Sequence, residues 1–169
     1  LRLWKALRHD APDAGETAQR HGIAVSEQPL VQIFKTVHAG QAAYTGKLSL
    51  SRIWRGSLAD GSALNGSRVG GIHHFVAGEP VRVPSANAGE LVALGRLEGV
   101  ATGSVVGPHD SSEMLEFPAP PTPVFALAIA TKDRKDDVKL STALHKLVEE
   151  DPSISVTHEQ ATGETLLKG

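Results

Sequence analysis

Cysteine is absent from the 169 residues, which excludes a disulfide framework, thiolate-held zinc, iron–sulfur clusters and a cysteine nucleophile together. Aromatic side chains are scarce, with two Trp, one Tyr and four Phe, so Leu, Val, Ile and Ala must fill the interior. Long apolar runs are missing too: the longest, Val124 to Ala130, holds about seven residues against the ~20 that a membrane helix needs. A soluble chain with no membrane partner is expected. Met114 is the single methionine, and the chain opens Leu-Arg-Leu with no basic-then-apolar signal segment. That opening predicts an excised piece of a longer protein.

What is present fits a globular protein, since 40% of the residues are apolar and 21% charged. A chain of this length buries roughly 70% of its unfolded surface. The net charge of −2 hides an asymmetry. Residues 30–107 carry seven basic and four acidic residues, a net of +3, whereas residues 108–169 carry six and eleven, a net of −5. Twelve of the 17 glycines lie between Gly40 and Gly103, where they punctuate short apolar runs. Such punctuation marks many short strands and tight turns.

The first segment, 1–29, begins with a few helical turns in which Leu3, Trp4 and Leu7 share a face, and the pattern stops at His9-Asp10-Ala11-Pro12. Strands are predicted next over Leu30–His38, Lys47–Arg55, Ser67–Val76, Val81–Val83 and Glu90–Leu97. In Lys47-Leu48-Ser49-Leu50-Ser51 the leucines point to one side and the serines to the other. Asp60-Gly61 carries a strong hairpin signal. About six strands without a helical window predict a small barrel or sandwich over residues 30–107. After a Pro-rich linker at 108–122 the period changes. A strand is expected over Pro123–Asp133, then a helix whose Leu140, Leu144, Leu147 and Val148 fall at i, i+4, i+7 and i+8. Asp136 and Asp137 suit its start and Asp151-Pro152 its end. Strands at Ile154–Thr157 and Thr165–Leu167, with a turn between them, complete a β-α-β-β order, the first half of a split β-α-β topology.

Few groups carry chemistry. Gly40 to Lys47 has five residues between its glycines where a phosphate loop has four, and Leu48 stands where Ser or Thr would hold magnesium. A hairpin is the better reading. His73-His74 point to opposite faces of a strand, so they cannot both reach one ion. No nucleophile context such as Gly-x-Ser-x-Gly occurs. Neither a catalytic, a cofactor-binding nor a metal-binding residue is assigned. Glu149-Glu150-Asp151 opposes the helix dipole and reads as a solvated helix end. The leading candidates for binding are the basic residues Lys47, Arg52, Arg55, Arg68, Arg82 and Arg96, which would contact RNA phosphates if they share a face.

The stretch GKLSLSRIWRGSLADGS from Gly46 to Ser62 resembles the second domain of translational GTPases of the elongation factor G type. The resemblance continues through Arg68-Val69-Gly70, Ala88-Gly89-Glu90-Leu91-Val92-Ala93 and Ala101-Thr102-Gly103. It resumes at Leu115-Glu116-Phe117-Pro118, at Pro123 to Ile129 and from Lys139 to Ser153, where the chain is similar to the opening of the family's third domain. Ser104, where the family usually has Asp, and the stretch from Gly78 to Pro84 depart from the pattern. A translocase, a recycling factor and a ribosome-protection protein therefore all stay open as the parent.

The resemblance implies a translation-factor β-barrel followed by a partial ferredoxin-like half-domain at 123–169, a mainly β plus α+β fold. It implies that 1–29 ends a GTP-binding domain lying outside this chain, which would hold GTP and magnesium and perform the hydrolysis. The implied partners are that domain and small-subunit ribosomal RNA, in the cytoplasm. The implied role is non-catalytic: ribosome binding, and coupling of nucleotide state to domain movement. Self-association through an open sheet edge of 122–169, or mobility there, is also expected. The alternative from another class is a free-standing barrel that binds RNA or protein with no GTPase attached.

Overall fold

A computed structural model of the chain describes residues 2–41, 44–107, 115–160 and 162–169. Helix α1, Arg2–Asp10, carries the expected Leu3, Trp4 and Leu7 stripe, and it buries none of its residues. A second helix, α2 at Ala14–Arg20, lies beyond the point where the helical pattern read from the sequence stops. Its cause is local. Asp13 caps it by accepting the Glu16 amide at 2.7 Å, and Arg20 pairs with Glu16 one turn away at 2.6 Å. Tertiary contact supplies the rest, because Ala18 and Ile23 pack with Leu30 and Trp54 in a small buried cluster.

The β region comprises β1 (Leu30–Gln41), β2 (Tyr44–Arg55), β3 (Ser57–Ala59), β4 (Ala63–Leu64), β5 (Ser67–Arg68), β6 (Ile72–Val76), β7 (Glu79–Val83), β8 (Ser85–Asn87), β9 (Leu91–Gly95) and β10 (Val105–Val106). Six of these form one antiparallel sheet in the order β10-β1-β2-β9-β6-β7, with β3–β8 and β4–β5 as separate two-stranded ladders. One buried cluster draws on most of the set, from Val31 and Val106 near one end of the sheet to Ile72 near the other, together with Leu58, Leu64 and Ala86 from the short ladders. The sheet must therefore curl around a single core. The Asn65 amide, donating to the Gly107 carbonyl at 2.7 Å, ties the β4–β5 turn to the end of β10. Each fully buried Leu, Ile or Val contributes about 2 kcal/mol here.

Two expectations change. The tight hairpin is Asn65-Gly66, with φ of 48° and 78°, and it joins β4 to β5. Asp60-Gly61 is a turn closed by the Ser62 amide on the Ala59 carbonyl at 3.1 Å, but its flanking strands pair elsewhere, β3 with β8 and β4 with β5. A two-residue hairpin of the first primed type needs positive φ at both central residues, and of this pair only Gly61 has it. The alternation read in β2 is kept. Ser49 and Ser51 stand opposite Leu94 and Val92, so the serine side is the inward one, and both serines are fully buried. Ser51 is satisfied along its own strand, donating to the Ser49 carbonyl at 2.9 Å. The second change is in the strand predicted over Ser67–Val76, which is split in two at Gly70 and Gly71, where the chain turns with φ of +122° at Gly71.

The last part holds β11 (Ala126–Ile129), a 3-10 turn at Arg134–Asp136, α3 (Asp137–Glu150), β12 (Ser155–His158) and β13 (Thr165–Lys168). Its sheet runs β11-β13-β12, with β13 antiparallel to both neighbours. That is the predicted β-α-β-β half-domain, with the third strand between the first two. Leu144 is the buried residue of α3. The fold is β-rich, with antiparallel sheets and few helices.

Candidate functional site: a polar junction at the barrel rim

The β1–β2 hairpin is the longest ladder in the chain, running from Leu30 opposite Arg55 to Gln41 opposite Tyr44. Its turn lies outside the described residues, but the ladder makes Gly40 to Lys47 a hairpin rather than a strand-loop-helix phosphate cradle. Near its far end His38 stands directly opposite Lys47. The last turn of α3 comes to this place. Glu149 Oε1 accepts from Lys47 Nζ at 2.9 Å, and Glu149 Oε2 lies 2.7 Å from His38 Nε2. The backbone amide of His38 donates to Glu150 Oε1 at 2.5 Å, and Lys35 Nζ reaches toward the Glu150 carbonyl at 3.5 Å.

The electrostatics follow from burial. The Lys47 side chain is only 5% exposed and that of Glu149 27%, so the pair is shielded from water and from salt far more than a surface pair. Burial alone would raise the Glu149 carboxyl; the hydrogen bonds from Lys47 and His38, helped by the Lys47 charge, outweigh it and hold the group below the ordinary glutamate value. Lys47 is also anchored from inside the barrel, donating to the Val100 carbonyl at 3.2 Å. Asp151 is held low by the hydroxyl and amide of Ser153, with Lys35 adding to the effect. Its bonds to Ser153, at 2.6 Å and 2.9 Å, shape the chain just beyond the helix.

The reading of Glu149-Glu150-Asp151 as a solvated helix end is therefore overturned for Glu149 and Glu150, while Asp151 is exposed. Two carboxylates at a helix C-terminus are locally unfavourable, and the cations of β1 and β2 offset that cost. This mismatch was the signal in the sequence. His38, Glu149 and Glu150 were missed because nothing local says that a strand 111 residues away will supply the partner.

The six basic candidates are not gathered into one cluster. Lys47 faces Glu149. Arg52 lies on the outer side of β2 with its guanidinium 4.0 Å from the centre of the Trp54 ring, a cation–π contact, and its buried Nε has no hydrogen-bond partner. Arg55 donates to the carbonyls of Gln28 and Ala24 at 3.2 Å and 3.4 Å, and so holds the chain that enters β1. Arg82 pairs with Asp60 at 2.5 Å, and the hydrogen bond from Arg82 lowers the Asp60 carboxyl against the raising effect of its burial. Arg68 and Arg96 are exposed, and among the described residues neither has an ion-pair partner. Arg96 adopts φ of 55° and lays its aliphatic stem where a Cβ on Gly70 would be, at 2.6–2.9 Å. His73 is buried and His74 half-buried with Glu90 at 3.2 Å. Among the described residues no group of three or more ligating side chains could hold a metal, and no helix is long and apolar enough to cross a membrane.

Comparisons with known proteins bear on the same arrangement. Residues 120–169 match the family described as Elongation Factor G, domain III. An Elongation factor G-like protein from Synechocystis sp. is 43% identical over 169 residues, covering 99% of this chain and 24% of that protein. An Elongation factor G from Dehalococcoides mccartyi is 33% identical over 171 residues, 97% of this chain and 24% of that protein. Among solved structures, a protein from Thermus thermophilus superposes with a TM-score of 0.76 at 28% identity, over 99% of this chain and 25% of its own. The likeness runs through both the curled antiparallel sheet and the β-α-β-β half-domain that follows it. The chain is similar to a segment of elongation factor G proteins and spans about a quarter of the length of the relatives it matches.

Proposed function

We propose that this chain is the non-catalytic coupling segment of a ribosome-acting GTPase of the elongation factor G type. On this reading the barrel binds small-subunit ribosomal RNA and packs on a GTP-binding domain, and the half-domain passes the nucleotide state to other parts of the protein, in the cytoplasm. The single observation that carries it is the junction of Lys47, His38 and Glu149, which joins the barrel directly to the helix of the half-domain. The phosphate-loop-like stretch does not fit GTP or magnesium, because it leads from one strand of a hairpin into the other. No step of hydrolysis is derived from them.

Of the basic candidates, Arg52, Arg68 and Arg96 are the ones free of acidic partners among the described residues, so they are the proposed phosphate contacts. Few aromatics lie on this part of the chain, so base stacking plays little part. Affinity for small ribosomal subunits, measured at several salt concentrations, tests the reading. Replacing a contacting Arg by Ala should lower the slope of log affinity against log salt by about one unit. Unchanged slope and affinity in all three single variants would move the contact away from these residues.

A further inference from the structure

The contact between barrel and α3 has the chemistry of a releasable clasp. Neither buried apolar cluster includes a residue beyond Leu115, so the two sheets share no hydrophobic core among the described residues. What crosses the junction in side-chain hydrogen bonds is charge: Glu149 and Glu150 from the helix, and Lys35, His38 and Lys47 from the hairpin. Lys47 is held by Val100 as well, and the His38 amide belongs to β1. When the helix leaves, these donors stay on the barrel. An ammonium, an imidazole and a backbone amide then converge on the space that two carboxylates fill, which is the donor set of an oxyanion seat.

We propose that Glu149 is a detachable acidic clasp: it fixes the half-domain against the barrel, and its release uncovers Lys47 and His38 as a seat for an RNA phosphate. In the closed arrangement the carboxylate occupies that seat. The phosphate part rests on the function proposed above, whereas the clasp part does not. Orientation of the half-domain and access to Lys47 are thereby linked, since carboxylate and phosphate compete for the same donors.

The absence of cysteine allows clean labelling. Spin labels on Glu79→Cys in β7 and Val138→Cys in α3, both exposed, report the distance between the two units. The otherwise unaltered chain should give one narrow distribution. Glu149→Gln, which keeps the shape and removes the charge, should widen it at least twofold. Lys47→Met should do the same, and the two together should add nothing further. In a second arm a short RNA duplex is titrated into chains that lack the labels. Glu149→Gln should bind several-fold tighter than the parent, and that gain should vanish in the Glu149→Gln, Lys47→Met double variant. Glu159→Gln, the same charge change at an exposed residue outside the junction, should leave both readouts unmoved. Unchanged distances in Glu149→Gln and in Lys47→Met would overturn the clasp. Widened distances with unaltered RNA affinity would overturn the phosphate seat. If Glu159→Gln tightened RNA binding as much as Glu149→Gln, general charge would account for the gain and the seat would fall.

Discussion

Glu149 stands at the end of a helix whose dipole disfavours it, and an ammonium and an imidazole from another sheet reverse that preference. Its folded-state value is depressed, so as pH falls the unfolded chain takes up the proton first. The contribution of the carboxylate is complete above the ordinary glutamate value of 4.5 and is lost as pH falls through the lower folded value. The stability gap between the parent chain and Glu149→Gln, from urea unfolding, should be widest near neutrality and close in acid. A gap that stays constant with pH would contradict the bonding described here. Gly56 offers a second test at this scale. With φ of +68°, a Cβ there would sit 2.6 Å from the Glu27 carbonyl oxygen, whereas Gly61, at +81°, has open space. Gly61→Ala should cost about 1 kcal/mol, the penalty of the left-handed conformation, and Gly56→Ala at least about 2 kcal/mol because the backbone of residues 27–28 must also move.

At the scale of elements, periodicity made the long pieces legible. β1, β2 and α3 follow from runs of apolar residues at spacing two or at i, i+4, i+7, and each lies close to its predicted place. The pieces that were not legible are those made by tertiary contact. Strands β3, β4, β8 and β10 are only two or three residues long, too short for any period, and exist because partners elsewhere in the barrel complete their ladders. Helix α2 needed Trp54, which is 8% exposed and donates to Gln32 Oε1 at 3.0 Å, as its floor. The half-domain depends on fewer buried side chains. Leu144→Ala in α3 should destabilise it by about 2 kcal/mol and raise amide exchange across residues 126–168, while the barrel core around Ile33, Ile53 and Leu94 keeps its protection. A uniform loss of protection over the whole chain would show instead that the two units unfold as one.

For the whole molecule, the order of a curled sheet and a β-α-β-β half-domain was readable because one long collinear resemblance spans both, and the comparisons cover 97–99% of the chain. The junction between the units was not readable, since its residues are over a hundred positions apart and each alone looks like ordinary surface charge. The central claim is that this segment couples a ribosome-bound barrel to the rest of a GTPase. The most direct measurement exchanges the matching quarter of the Synechocystis elongation factor G-like protein for this chain and follows ribosome-stimulated GTP hydrolysis by the chimera. The account predicts turnover within a few-fold of the unexchanged protein, and a marked loss when Glu149→Gln is added. A folded chimera that hydrolyses GTP no faster with ribosomes than without them would contradict it.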